Sequence, residues 1–182
     1  MKKLIMWAMV LGLLVSGCSM NTNPPDYIKK FTVYQEGDGL VIYFILADKS
    51  GQVTTYDGEA TMEIKTIPTD WNEIKEAYEK HARNLGIGSG EYLNEYGKSE
   101  ALRKAERVVF SKKYAIKKEN FVKTKIGRGA FEQDEILFSF GRIPYSSLGY
   151  TKGKGRVELF YIAKADEDVS GRGFTAKETF YF

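Results

Sequence analysis

The sequence predicts a mainly β protein: an antiparallel β-sandwich that contains one inserted helical segment at about residues 69–110. Three observations favour this architecture. Several short runs of strand-forming residues are separated by turns rich in glycine. These runs do not alternate with helices, as the strands of a parallel sheet would. Between the first and second groups of strands, the spacing of apolar residues changes to that of a helix.

The first group contains three strand predictions. Residues 27–34 form the first, and Gly37-Asp38-Gly39 supplies the turn that follows it. Residues 40–46 are a continuous apolar run, which is typical of a strand covered on both faces. Residues 53–67 alternate, with Ala60, Met62 and Ile64 on one face and polar residues on the other, which predicts a strand with one solvent-exposed face and a bend near residues 56–59.

The inserted segment is predicted to hold two helices. Asp70 and Glu73 have the spacing of a capping pair, so the first helix should begin near residue 71, and it should stop at Gly86. Its expected inward stripe repeats at steps of three and four residues: Trp71, Ile74, Tyr78, His81 and Leu85. The second helix is predicted over residues 99–109, with an inward face formed by Leu102, Ala105 and Val109.

Strand patterns return in the second group, at residues 121–126, 135–140, 156–163 and 176–182. Gly-basic-Gly triplets at 127–129, 153–155 and 171–173 separate them and are typical of hairpin turns that need positive φ. Backbone N–H groups of such triplets can also face an anion, but their short, separate placement excludes a phosphate loop. The number and spacing of strands resemble an immunoglobulin-like or fibronectin-type sandwich, without the signature cysteines or the strand tryptophan.

The first 18 residues have the three parts of a secretion signal. Lys2 and Lys3 form a positive n-region. Residues 4–15 are apolar but too short to span a bilayer, which needs about 20 residues. The next residues, Val15-Ser16-Gly17-Cys18, resemble the lipobox of prokaryotic lipoproteins.

This resemblance implies that residues 1–17 are removed and that Cys18 receives a diacylglycerol, whose two acyl chains suffice for stable membrane attachment. The expected location is the cell envelope, on the outer membrane if the organism has one, because Ser19 stands where an aspartate would retain the protein at the inner membrane. Residues 18–26 are then a lipidated tether containing paired prolines. Residues 27–182 form a single sandwich domain with its helical insertion.

Composition narrows the classes of function. Loss of Lys2 and Lys3 with the signal lowers 27 basic residues to 25, against 24 acidic residues, so we expect no nucleic-acid partner. Cys18 is the only cysteine, which excludes a disulfide within the domain. The only histidine, His81, is not accompanied by a nucleophile elbow, a zinc ligand set or a cofactor motif. We therefore expect no catalytic residue, metal or cofactor, and interpret His81 as a boundary or core residue satisfied by one hydrogen bond.

Two acidic clusters leave a catalytic alternative open. Glu132, Asp134 and Glu135 precede one predicted strand, and residues 166–168 lie in a late turn. Paired carboxylates can hydrolyse glycosides without a histidine. Both clusters are more typical of solvated hairpin ends, and the later one lacks the spacing of a calcium loop.

The most distinctive charged segment spans residues 111–129. Lysines interleaved with aromatic residues can hold anionic polymers, and for a tethered protein the candidate anions are phospholipid headgroups or acidic cell-wall polymers. The alternative, which we favour, is that the lysines keep a strand edge soluble and unpaired. The basic residues are Lys112, Lys113, Lys117, Lys118, Lys123, Lys125 and Arg128.

The loop at residues 144–150 is the best candidate for a recognition site whose contacts are made by tyrosines. Tyr145 and Tyr150 either belong to an aromatic platform with Tyr161 and Tyr181 or cap the core. The leading hypothesis is a membrane-anchored, non-catalytic binding module whose partner is an envelope protein. The alternatives are a carboxylate-dependent glycan-active enzyme, a cell-wall polymer binder, or a spacer that self-associates through its helices.

Overall fold

The structure, a computed structural model, describes residues 21–88, 93–126, 132–149, 153–164 and 171–182. Within these residues the chain forms two antiparallel sheets and two α-helices. The elements are β1 (Tyr27–Glu36), β2 (Gly39–Ala47), β3 (Val53–Thr54), β4 (Gly58–Ile67), α1 (Trp71–Asn84), α2 (Glu95–Ala105), β5 (Arg107–Ile116), β6 (Val122–Ile126), β7 (Gln133–Pro144), β8 (Lys154–Ala163) and β9 (Gly173–Tyr181). The two helices are inserted in sequence between β4 and β5, two adjacent strands of one sheet.

The two sheets pack face to face. The first has the strand order β1-β2-β7-β6, with the short β3 paired to β2, and the second has the order β5-β4-β8-β9. All pairings are antiparallel, for example Phe44 opposite Phe138 in the first sheet and Met62 opposite Leu159 in the second. The prediction of an antiparallel sandwich with an inserted helical segment is confirmed.

The core lies between the inner faces of the two sheets. Alternate residues of β4 and β8 are fully buried, whereas the intervening residues form the outer face, as a period of two requires. β2 is buried on both faces: Phe44 belongs to the main core, while Tyr43 and Ile45 form a second apolar cluster with Leu137. The continuous apolar run at residues 40–46 was therefore interpreted correctly.

The helical insertion differs from its prediction in two respects. The second helix covers 95–105, not 99–109, and Val109 lies in β5, where the run Val108-Val109-Phe110 pairs with β4. The prediction of the inward stripe of the first helix is also partly wrong, because Trp71 and Leu85 are exposed. The positions that the two helices bury are small or polar: Ala77, His81, Gly97 and Ala101.

The sandwich has two distinct ends. At the first, the N-terminal end, residues 21–26 and the loops at 48–57, 117–121 and 171–172 are joined: the Thr55 N–H donates to the Asn21 carbonyl, and Arg172 pairs with Asp26 at 2.8 Å. At the opposite, helical end, β4 leads into α1, α2 leads into β5, and the Tyr145 N–H donates to the Asp38 carbonyl. The helices and the chain's described N-terminal residues therefore lie at opposite ends.

Candidate functional site

Three of the predicted site residues, Cys18, Arg128 and Tyr150, lie outside the described residues, as does the predicted signal at 1–17. The first residues that the structure describes, 21–26, belong to the segment predicted as a tether. They are bound to the domain, as the hydrogen bonds of Asp48 show below.

The basic segment is divided among β5, β6 and the turn between them, and both strands are sheet edges. Lys112 and Lys113 lie on β5, Lys117 and Lys118 in the turn, and Lys123 and Lys125 on β6. The Lys112 ammonium lies 4.9 Å from the centre of the Tyr114 ring, on the side of β5 that faces the core. Inward-pointing charges on edge strands are a known protection against strand pairing. This placement supports the edge-protection alternative.

The first acidic cluster lies on the same edge. Asp134 pairs with Lys123 at 3.1 Å, and Glu132 pairs with Lys125 at 3.7 Å, in positions that are about half exposed. These two carboxylates therefore neutralise the β6 lysines at a solvated hairpin. The second cluster, residues 166–168, lies outside the described residues.

The predicted tyrosine platform is not assembled as proposed. Tyr161 is buried in the core, where its hydroxyl donates to the Tyr56 carbonyl at 3.0 Å, and burial raises its pKa. The Tyr145 ring packs 5.5 Å from the Phe182 ring, and burial raises its pKa as well. Of the three platform tyrosines that the structure describes, Tyr181 alone is well exposed, with Lys154 above its ring. Tyr145 thus caps the core, and a platform that includes Tyr161 is excluded.

The outer face of the second sheet carries an ion-pair network. Glu158 accepts hydrogen bonds from Lys65 at 2.6 Å and contacts Lys177 and Arg156 at 3.2 and 3.0 Å. Partial burial alone would raise the Glu158 pKa, but these lysines lower it. Arg156 also pairs with the buried carboxylate of Glu106. Cations thus hold both carboxylates, and we interpret the network as a contribution to the structure of the sheet.

Asp48 organises the N-terminal end. Its buried carboxylate accepts hydrogen bonds from the side chains of Asn21 at 2.9 Å, Asn23 at 3.0 Å and Ser50 at 2.6 Å. The backbone N–H groups of Ser50 and Gln52 also donate to it. Because every one of these bonds favours the charged form, the pKa of Asp48 is held far below its usual range, chiefly by Ser50 and the two asparagines.

Replacement of Asp48 by asparagine is expected to destabilise the protein near neutral pH. The depressed pKa means that the stabilisation by Asp48 is complete above the unfolded-state pKa of about 3.9 and is lost as pH falls through the folded-state value. The stability difference between native protein and Asp48→Asn should therefore be largest near pH 7 and shrink in acid. Urea unfolding across this pH range measures it. Asp134→Asn, at an exposed ion pair, is the control and should show little difference; equal effects of both variants would contradict the role of Asp48.

A cavity of about 470 Å³ lies at the helical end. Its walls are the facing sides of α1 and α2, the end of β4 with Pro68, the start of β5, and Gly149 of the turn after β7. Polar and charged residues of α1 and β5 line it together with small apolar side chains. Its polar lining residues include Glu73, Glu76, Lys80, His81, Asn84 and Arg107.

His81 is the least exposed of the polar residues in this wall, at 3%. Neither ring nitrogen has a hydrogen-bond partner among the residues that the structure describes. Glu100 is the nearest carboxylate, 3.7 Å from Nε2, and its pKa is lowered mainly by a hydrogen bond from Lys104 at 3.0 Å. The prediction that His81 is buried is confirmed, but the hydrogen bond expected for it is missing.

Comparison with known proteins gives no family for this chain. No family model, no curated protein and no solved structure matches it. Among the described residues, the helices are all too short or too polar to cross a bilayer. What the protein binds must therefore be inferred from its own residues.

Proposed function

We propose that this chain is a lipid-anchored protein of the cell envelope whose sandwich is a non-catalytic binding module for another envelope protein. The proposal of an anchor rests on the residues before and including Cys18, which resemble a lipoprotein signal. The proposal of a binding module rests on the arrangement of the two ends of the sandwich.

The observation that carries this proposal is that the N-terminal end and the helical end lie at opposite ends of the sandwich. Residues 21–26 are bound to the N-terminal end through Asp48, Thr54 and Thr55, so they do not act as a free spacer. Cys18 precedes Asn21 by three residues, which span at most about 11 Å. A lipid on Cys18 would therefore hold the N-terminal end against the membrane surface and direct the helical end away from it.

The helical end exposes large apolar side chains. Trp71 is 68% exposed and Tyr96 is 77% exposed, and Leu85 is exposed near the end of α1. Tryptophan and tyrosine, together with arginine, are enriched among the residues that contribute most of the binding energy at protein interfaces. Their position at the end that would face away from the membrane supports a protein partner reached from that side.

The anchor is tested with Cys18→Ala in cells supplied with an alkyne-tagged fatty acid. The native chain should incorporate the tag and sediment with membranes after a carbonate wash. The variant should lose the tag completely, because the thiol that would carry the lipid is absent. Ser19→Ala is the matched control and should behave as the native chain does. Equal incorporation of the tag by the native chain and by Cys18→Ala would refute the anchor.

The partner is tested by photo-crosslinking in intact cells, with the crosslinking residue placed at Trp71 or Tyr96. The control position is Lys49, which is exposed at the N-terminal end. We expect a defined protein to be captured from the helical positions, not from position 49, and to be lost when Cys18→Ala is added. Equal capture from both ends, or none from the helices, would overturn the proposed orientation.

A further inference from the structure

We propose that the cavity at the helical end binds a neutral, polyhydroxylated ligand of monosaccharide or disaccharide size. This goes beyond the proposed protein-binding function by giving the same end of the module a small ligand. It depends neither on the lipid nor on a protein partner, so the two proposals can fail separately.

The buried imidazole of His81, which has no hydrogen bond among the described residues, indicates that the cavity is built to receive a polar group. A buried polar atom without a hydrogen bond costs about 1–3 kcal/mol, and such atoms are rare in native proteins. Both nitrogens of His81 are in this state, and the residue lines the cavity. An uncharged imidazole needs one donor and one acceptor. Hydroxyl groups supply both.

The charges of the wall argue against a charged ligand. Glu106 is held by Arg156, and Lys104 is held by Glu100. The remaining wall charges have no ion-pair partner among the described residues and balance one another: Glu73 and Glu76 against Lys80 and Arg107. A net anion or a net cation would be attracted by one pair and repelled by the other. A neutral ligand with many hydroxyls can donate to the carboxylates and accept from the cations.

The size and the apolar lining agree with this class of ligand. A volume of about 470 Å³ falls within the range of about 300–1,000 Å³ that is usual for small-molecule sites. The apolar part of the described wall consists of aliphatic side chains such as Ile67, Ala77 and Val109, and it includes no aromatic ring. These aliphatic side chains provide van der Waals contacts for the C–H groups of a small polyhydroxylated ligand.

The test uses the single histidine as its own probe. In the ¹⁵N-labelled full chain, purified in mild detergent, the two ring nitrogens of His81 give one set of NMR signals. N-acetylglucosamine and its β-1,4-linked disaccharide should shift these signals in a saturable way. Glycylglycine and inorganic phosphate, at matched concentration and pH, should not. The inference is overturned if neither saccharide shifts the signals, or if the dipeptide or phosphate shifts them as strongly.

Two lysines of α1 provide a matched pair of variants. Lys80→Ala removes a donor from the wall and should weaken saccharide binding about tenfold or more, as expected for loss of a charged hydrogen bond. Lys75 is exposed and pairs with Glu79 outside the wall, so Lys75→Ala should bind as the native chain does. Asn84→Ala is a second wall variant if Lys80→Ala does not fold. Undiminished affinity in a folded wall variant would refute the site.

The Cys18→Ala chain separates this inference from the proposed anchor. It should bind the saccharides with native affinity, because the cavity lies at the end of the sandwich opposite to residues 21–26. Loss of binding in this variant would contradict the placement of the ligand site. Retained binding, whatever the outcome of the fatty-acid test, would support it.

Discussion

Replacement of Phe44 by alanine is expected to lower the free energy of unfolding by about 3–5 kcal/mol. Phe44 is fully buried at the middle of β2, where the two sheets meet. Its ring lies within 6.0 Å, centre to centre, of four others: Phe121, Phe138, Phe140 and Tyr161. Alanine would leave a cavity bordered by side chains from both sheets, and none of these strands can move into it without breaking backbone pairing.

The measurement is equilibrium unfolding in urea, with fluorescence and circular dichroism as independent probes. Phe160→Ala is the matched control, because Phe160 lies on the outer face of β8 and is 44% exposed. Its cost should be about 1 kcal/mol or less. Similar losses in the two variants would contradict the assignment of Phe44 to the centre of the core.

Those parts of the fold that have strong local patterns could be predicted from the sequence. The apolar run of β2 and the alternation of β4 gave both the strands and their faces correctly. Asp70 caps α1 as its spacing with Glu73 suggested, although it is the N–H groups of Asn72 and Glu73 that donate to it. These features are decided by residues within a few positions of one another, so the sequence carries them directly.

β5 was missed because its strand pattern is weak and follows a helix without a glycine or proline. Residues 99–109 continue an apolar spacing compatible with a helix, yet the backbone becomes extended at Glu106 and residues 107–116 pair with β4. Val108 and Val109 favour a strand, and pairing with β4 decides the outcome. Trp71 is exposed for a similar reason. The packing of the two helices against the end of the sheet determines which face of α1 is buried, and the local apolar spacing does not.

The candidate site was less predictable than the fold because its parts are distant in sequence. The residues that line the cavity lie at positions between 66 and 149, and no local sequence motif indicates that they come together. The hydrogen bonds of Asp48 to Asn21 and Asn23 join residues more than 20 positions apart, so no local sequence pattern indicates them. The lysines of β5 and β6 were singled out by composition alone, whereas the ion pairs of the β6 lysines with Glu132 and Asp134 depend on the register of the β6–β7 hairpin.

Replacement of Gly58 by alanine is the second substitution expected to have a large effect, with a loss of about 3 kcal/mol. Gly58 begins β4 and pairs with both Ile116 and Ala163. A Cβ atom there would collide with the Ile162 carbonyl oxygen and lie 2.7 Å from two ring atoms of Tyr161. The Tyr161 hydroxyl donates to the carbonyls of Tyr56 and Asp57, so a shift of the ring would also break these bonds.

Thermal and urea unfolding of Gly58→Ala measure this loss, and Gly88→Ala is the control. Gly88 has open space around the position of a Cβ atom and no positive φ, so alanine should change stability there by no more than about 0.5 kcal/mol. Because Gly58 lies next to the loop that binds residues 21–26, its substitution should also expose that segment to proteolysis. Equal stability of the two variants would show that β4 and β8 can separate at this point, and the close contact of Gly58 with Tyr161 would then not be required for folding.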